Sequence, residues 1–168
     1  MQSIYKINGI DFNKYNPDID WSGQYFNQYP EVIKLKNRVG VYTFTLCDEP
    51  VYIGSSTNLF SRFQTHIMHM QGKSNAQSSK LTWKKYYYLN KHINQVQFQV
   101  LNMYDSTISK TELEEYEYLY INQYNPIFNI NYKYALKQWN GTEQDIDDFV
   151  NGIISMDILK NQIIYTAK

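Results

Sequence analysis

Several things are scarce in this chain, and each scarcity excludes something. Among 168 residues there is one cysteine, Cys47, so no internal disulfide can form, and a reducing, cytoplasmic setting is the expectation. No second metal or redox ligand lies near Cys47, which reads as a bystander in a turn. No apolar run approaches membrane-spanning length, and the opening MQSIYKING lacks a basic-then-apolar leader pattern, so neither membrane nor secretion is expected. There is no Gly-rich phosphate cradle and no Cys/His zinc spacing. Net charge is zero, with 16 basic and 16 acidic residues, which argues against an unselective nucleic-acid coat. Arginine is confined to Arg38 and Arg62.

What charge there is has been sorted. Between Val51 and Lys110 lie seven Lys or Arg and one acid, Asp105, so this stretch carries +6 and the remainder −6. All three histidines fall in it too. A local phosphate-binding face has this composition, and so does an ordinary solvated face.

The centre of the chain reads RVGVYTFTLCDEPVYIGSSTNLFSRFQTH. Two β-rich runs, Val39 to Leu46 and Val51 to Ile53, flank Cys47-Asp48-Glu49-Pro50, a hairpin signal in which Pro50 presets a turn dihedral. Gly54 is expected to end the second strand where a side chain would intrude, and residues 55–58 offer N-caps for a helix. That helix carries Leu59, Phe60, Phe63, Ile67 and Met70 on one side, with Arg62, His66 and His69 along a neighbouring stripe. Two tyrosines on a strand pair, followed by Arg and His on a helix, suit phosphate chemistry.

A loop-like stretch over 71–78 leads to a second helix, Lys80 to about His92, with Leu81, Tyr88 and Leu89 inward. Its Lys80, Lys84, Lys85 and Lys91 are candidate nucleic-acid contacts, as is His69, while Tyr86 to Tyr88 suit either base stacking or core. Val96, Phe98 and Val100 alternate with glutamines, the clearest strand in the chain. Ser109-Lys110-Thr111-Glu112 opens a third helix as a capping box. On its wheel Glu117 lies near Leu113, Ile121 and Tyr124, on the apolar face, whereas Glu112 and Glu115 project outward. A carboxylate there needs a cation, and Arg62, a lysine or a metal ion are the candidates. Asn125-Pro126 stops the helix.

The ends are less legible. Residues 1–37 are dense in aromatics and are expected to pack on the core, with short helices after Asp20 or Ser22 and over Glu31 to Lys36. Residues 132–139 are aromatic-rich, and Thr142 to Asp145 caps a helix with Ile146, Phe149, Val150 and Ile153 inward. Asp157 to Tyr165 fits helix or strand.

Taken in order, Gly40-Val41-Tyr42, Tyr52-Ile53-Gly54, Arg62 with His66, Glu117, and Pro126 before Asn129 resemble the GIY-YIG nucleases, over residues 38 to about 131. The resemblance implies an α+β fold, a small three-stranded, mostly antiparallel sheet flanked by helices. It divides the chain into an N-terminal extension (1–37), a nuclease domain (38–131) and a C-terminal extension (132–168). It implies a metal-dependent DNA endonuclease leaving 5′-phosphate and 3′-hydroxyl ends. Tyr42 would then be the general base, alone or relayed through His66, with neighbouring cations favouring its phenolate. Tyr52 would hydrogen-bond within the site, Arg62 would clamp the scissile phosphate, and Asn129 would orient neighbouring groups. Glu117 would hold one Mg²⁺ or Mn²⁺. DNA is the implied partner, with a second subunit or targeting partner to extend recognition. A catalytically idle nucleic-acid-binding module and an RNA nuclease are the alternatives, because such a site grips phosphate and not sugar.

Overall fold

The computed structural model describes residues 5–7, 34–70, 80–130 and 135–167. Its centre is an antiparallel sheet built on strand β2 (Val39–Leu46), which pairs with β3 (Glu49–Ser56) on one side and β4 (Val96–Tyr104) on the other. The β2–β3 hairpin is tighter than its composition implies. Cys47 and Asp48, at φ 51° and 66°, form the turn between them, the left-handed pair that matches strand twist. Pro50 therefore lies inside β3, opposite Thr45 at a register shift. An edge strand tolerates proline because its missing N–H faces outward. Gly54 does not end β3 either, since the strand continues to Ser56.

A fourth strand, β1 (Tyr5–Ile7), adds to the free edge of β4, pairing Tyr5 with Val100. The order is β1-β4-β2-β3, so the expected three strands are joined by one from the N-terminal extension. The helix expected after Asp20 or Ser22 lies outside the described residues. Of the stretch expected as helix over Glu31 to Lys36, the described part, from residue 34, is a turn.

Period-two alternation gives the sheet two apolar faces. Tyr42, Phe44, Phe98 and Val100 pack with helix α1 (Leu59–Met70), which buries Leu59, Phe60, Phe63, Ile67 and Met70 as the wheel predicts. The Asn58 side chain caps α1 by accepting from the Ser61 N–H at 3.2 Å. Helix α2 (Lys80–Lys91) adds Tyr86, Tyr88 and Leu89 to the same layer. On the opposite face Val39, Val41, Ile53 and Leu101 meet Leu113 of helix α3 (Lys110–Tyr124). Ser109 caps α3 through the Glu112 N–H at 3.1 Å. Asn125, left-handed at φ 46°, closes it ahead of Pro126.

The C-terminal extension is a second, two-stranded sheet with helices between its strands. Strand β5 (Ala135–Trp139) and β6 (Ile163–Ala167) pair antiparallel, separated by α4 (Glu143–Val150) and α5 (Met156–Lys160). The undecided tail is thus both helix and strand. Thr142 and Asp145 form the expected capping box, and Ile146 and Phe149 are buried. Ile153, expected inward, is 69% exposed, because α4 stops at Val150 and Ile153 falls in the turn beyond it.

Two lysines fasten this extension to the end of α3. Lys160 Nζ donates to the Tyr124 carbonyl at 2.8 Å, and the buried Lys137 donates to the Pro126 carbonyl. Cations at unpaired C-terminal carbonyls offset the negative end of the helix. Burial, with help from Lys160, pushes the Lys137 ammonium down to about 7. No helix among the described residues is long and apolar enough to cross a membrane.

Candidate active site

The hairpin, α1 and α2 place four polar rings together under the sheet. Tyr42, 1% exposed, is held by the register of β2, and its hydroxyl lies 2.5 Å from Nε2 of His66. His66 comes from the buried side of α1, one turn after Arg62. Its other nitrogen, Nδ1, lies 2.8 Å from the Tyr86 hydroxyl, which α2 supplies. Tyr52 of β3 packs edge-on to the His66 ring, with centroids 5.6 Å apart.

Burial sets the protonation of this group. It pushes the Tyr42 and Tyr52 hydroxyls up from their ordinary values, Tyr42 far up. It pushes His66 well down, with the charges of Lys85, then Arg62, adding to the effect. A standing Tyr42 phenolate, which the sequence reading attributed to nearby cations, is therefore not the resting state. Arg62 does favour it, yet desolvation of an anion is the larger effect. His66 is a neutral imidazole, so one nitrogen donates and the other accepts between the two tyrosines.

Glu117 approaches from the other face. Its carboxylate is half-buried, and Oε2 accepts from the Ser55 hydroxyl at 2.5 Å. Burial raises its proton affinity, while the Ser55 bond and, less strongly, Arg62 oppose that. The Glu117 charge in turn raises both Tyr42 and Tyr52, so the carboxylate and the tyrosines share one electrostatic site around edge strand β3. Among the described residues Glu117 forms no ion pair with Arg62, whose side chain is exposed on α1. A buried Glu–Arg pair, one way to satisfy the carboxylate, is not what forms.

Asn129 locks the outer edge of β3. Its Oδ1 accepts from the Ile53 N–H at 2.8 Å, and its Nδ2 donates to the Ile53 carbonyl at 2.7 Å. The Phe128 N–H adds a bond to the Val51 carbonyl at 2.9 Å. Asn129 thus fixes the backbone between Tyr52 and Gly54.

The lysines of α2 are not one face. Lys85 is buried, its Nζ 3.7 Å from the Tyr52 ring centroid and 4.5 Å from that of Tyr86. This corrects its expected place on the surface. Lys91 is spent on Glu143 and Asp147 of α4, at 2.7 and 2.9 Å, and His92 joins Asp147 at 2.8 Å. Lys84 is half-buried beside Asn129 and Lys137, and the Lys80 side chain lies outside the described residues. His69 stacks on Tyr86, with centroids 4.9 Å apart.

Sequence reasoning missed Ser55, Tyr86 and the inward course of Lys85. Ser55 had a signal, standing two residues after Ile53 on the same strand face. Tyr86 and Lys85 had none, because Tyr86-Tyr87-Tyr88 offers every helical direction to choose from.

A family model described as the GIY-YIG catalytic domain matches residues 38–131. That match takes in more than half of the chain, and the chain belongs to the GIY-YIG family. It is an endonuclease of that family. Among solved structures it is similar to the GIY-YIG N-terminal endonuclease domain of UvrC from Thermotoga maritima, bound to magnesium. Identity there is 20% and the TM-score 0.39, covering 60% of this chain and 93% of that one. A point mutant of that domain, bound to its catalytic divalent cation, gives 19% and 0.40, covering 60% of this chain and 93% of that one. No curated protein matches the chain.

Proposed function

We propose that the chain is a divalent-metal-dependent DNA endonuclease that hydrolyses phosphodiester bonds to 5′-phosphate and 3′-hydroxyl ends. The observation that carries this reading is the 2.5 Å bond between the Tyr42 hydroxyl and His66 Nε2. It gives a tyrosine with no accessible phenolate a neutral base in contact with it.

In this mechanism Tyr42 donates to Nε2, and Nδ1–H donates to Tyr86. As a water oxygen attacks phosphorus, its proton passes to the Tyr42 oxygen while the Tyr42 proton passes to His66. The proton thus moves during attack and not before it, which avoids a buried anion in the resting enzyme. Arg62, always charged and fork-shaped, engages the non-bridging phosphate oxygens. Tyr52 borders the same space and supplies a second hydroxyl. Asn129 holds Tyr52 in place through the Ile53 backbone.

The donor set fits Mg²⁺. Glu117 Oε1 has no hydrogen bond among the described residues, and no cluster of three or more His, Cys, Asp or Glu accompanies it there. Mg²⁺ is the ion that takes one or two carboxylate oxygens and fills its shell with water and substrate phosphate. Held by Glu117, it would stabilise charge on the departing 3′ oxygen. Recognition beyond the scissile phosphate then falls to the nuclease surface, residues 1–37, and a second subunit or targeting partner.

The test is incubation of the full chain with Mg²⁺ and plasmid, single-stranded or branched DNA, beside RNA of matched sequence, with the ends sequenced. DNA cleavage with the stated ends, lost on Glu117→Gln at unchanged circular dichroism, is the expected result. Cleavage confined to RNA, or binding without cleavage, overturns the DNA endonuclease reading. Full activity of Glu117→Gln at saturating Mg²⁺ overturns the metal assignment.

A further inference from the structure

Lys85 stands outside the motif residues, yet the fold drives it into their midst. Its α2 neighbours Tyr86, Tyr88 and Leu89 are core residues, and Lys85 itself is 6% exposed. The ammonium sits between two aromatic faces, 3.7 Å from the Tyr52 centroid and 4.5 Å from the Tyr86 centroid. Both rings border His66: Tyr86 is hydrogen-bonded to it at 2.8 Å, and Tyr52 packs on it at 5.6 Å between centroids. Tyrosine faces attract a cation without neutralising it. No carboxylate pairs with Lys85 among the described residues, so its field is felt by the imidazole behind those rings.

We propose that Lys85 is a positioning residue for the proton-transfer step, its buried charge keeping His66 unprotonated and able to accept the Tyr42 proton. The proposal rests on the Tyr42–His66 proton transfer described above. An imidazolium at position 66 would have no acceptor nitrogen left for Tyr42. The groups facing His66 are Tyr42 from β2, Tyr52 from β3, Arg62 and His69 from α1, and Lys85 and Tyr86 from α2. Glu117 from α3 acts on the tyrosines. Of the cations, Lys85 has the largest effect on His66, ahead of Arg62 and His69.

The protonation state of Lys85 matches this work. Burial and the Arg62 charge bring its ammonium down to about 7. It is therefore protonated below neutrality, over the range in which a free imidazole would take up a proton. The charge is present where it is needed, and its loss above neutrality removes a constraint that no longer matters.

The experiment uses the full chain with Lys85→Met, Lys85→Gln and Lys85→Arg. The two neutral variants guard against a failure of either to fold. His66 titration is followed by the NMR signals of its ring, and the acid limb of the kcat/KM profile for DNA cleavage is measured alongside. In the neutral variants the His66 midpoint is expected to rise by about one pH unit, and Lys85→Arg is expected to restore it. A His66 midpoint that stays in place or falls overturns the proposal, and so does a rise that Lys85→Arg fails to restore, since loss of packing alone would rehydrate the site and raise the midpoint without any effect of charge. If the NMR midpoint rises and the kinetic limb does not follow, Lys85 holds His66 neutral as proposed. The part of the functional reading that makes His66 the acceptor for Tyr42 is then what fails.

Discussion

Replacing Asn129 is the sharpest probe of how the site is held, because its two bonds go to one residue. Its amide group, 5% exposed, both accepts from and donates to the Ile53 backbone, at 2.8 and 2.7 Å. Asn129→Ala removes two hydrogen bonds worth about 1 kcal/mol each, and it strands an N–H and a C=O at about 1–3 kcal/mol each. Because β3 is an edge strand, water recovers part of this, and a net loss of about 2–4 kcal/mol is expected. Asn129→Asp separates the two bonds. The ionised carboxylate still accepts from the N–H but sets a negative oxygen against the Ile53 carbonyl. Only the protonated form can donate there, so the folded-state pKa of the new carboxyl is raised above its unfolded value of about 3.9. A raised carboxyl binds the proton more tightly in the folded state. The contribution of the new carboxyl to the stability of Asn129→Asp is therefore fully present below about pH 3.9 and is lost as pH rises through the folded pKa. Urea unfolding at pH 5 and pH 7.5, with the m-value held common, reads both effects. Wild-type stability of Asn129→Asp at pH 7.5, or a loss under about 0.5 kcal/mol in Asn129→Ala, would refute the double bond to Ile53 as the anchor of β3.

Other substitutions test single roles. Arg62→Lys keeps the charge but not the planar fork, and turnover is expected to fall at least about tenfold; equal turnover would reduce Arg62 to a generic cation. Tyr42→Phe is expected to cost about 10²–10⁴ in kcat, whereas Tyr124→Phe, at a half-buried packing position, should stay within about twofold. Matching losses in the two would remove Tyr42 from the chemistry. Lys91→Ala should leave the salt dependence of DNA binding unchanged, since Glu143 and Asp147 already neutralise that cation. It should also speed amide exchange in α4, and a flattened salt slope would show that Lys91 faces DNA after all.

The candidate site was legible through the order of its motif residues, which carries the family resemblance, and because strands and helices convert spacing into direction. Alternation put Val96, Phe98 and Val100 on one face, and a 3.6-residue repeat turned Glu117 toward the sheet. Caps at Ser109 and Thr142 announced their helices for the same local reason. What stayed illegible depended on partners far along the chain. Lys85 looks like a surface lysine until Tyr52 supplies the aromatic wall it lies against. Lys91 looks free until α4 brings its acids across, and these same acids spend part of the basic charge that the middle of the sequence seemed to offer a phosphate. The turn was misjudged because Pro50 is a turn former in isolation, whereas strand twist selected left-handed Cys47 and Asp48 instead.

The pairing of Tyr42 with Gly54 has a consequence for how such a chain can change length. The two residues are register partners across β2 and β3, and a side-chain carbon on Gly54 would run into the Tyr42 hydroxyl. The two tripeptides around them are therefore two halves of one steric contact. Insertions at the Cys47-Asp48 tip lengthen the hairpin and leave that contact alone, so the interval between the tripeptides is free to drift. A single-residue insertion or deletion between Thr43 and Leu46 slides the strands, puts Ile53 or Ser55 across from Tyr42, and turns β3 over. Tolerance to indels should thus be concentrated at the tip and vanish a few residues to either side, a pattern that a deletion scan across the hairpin would display.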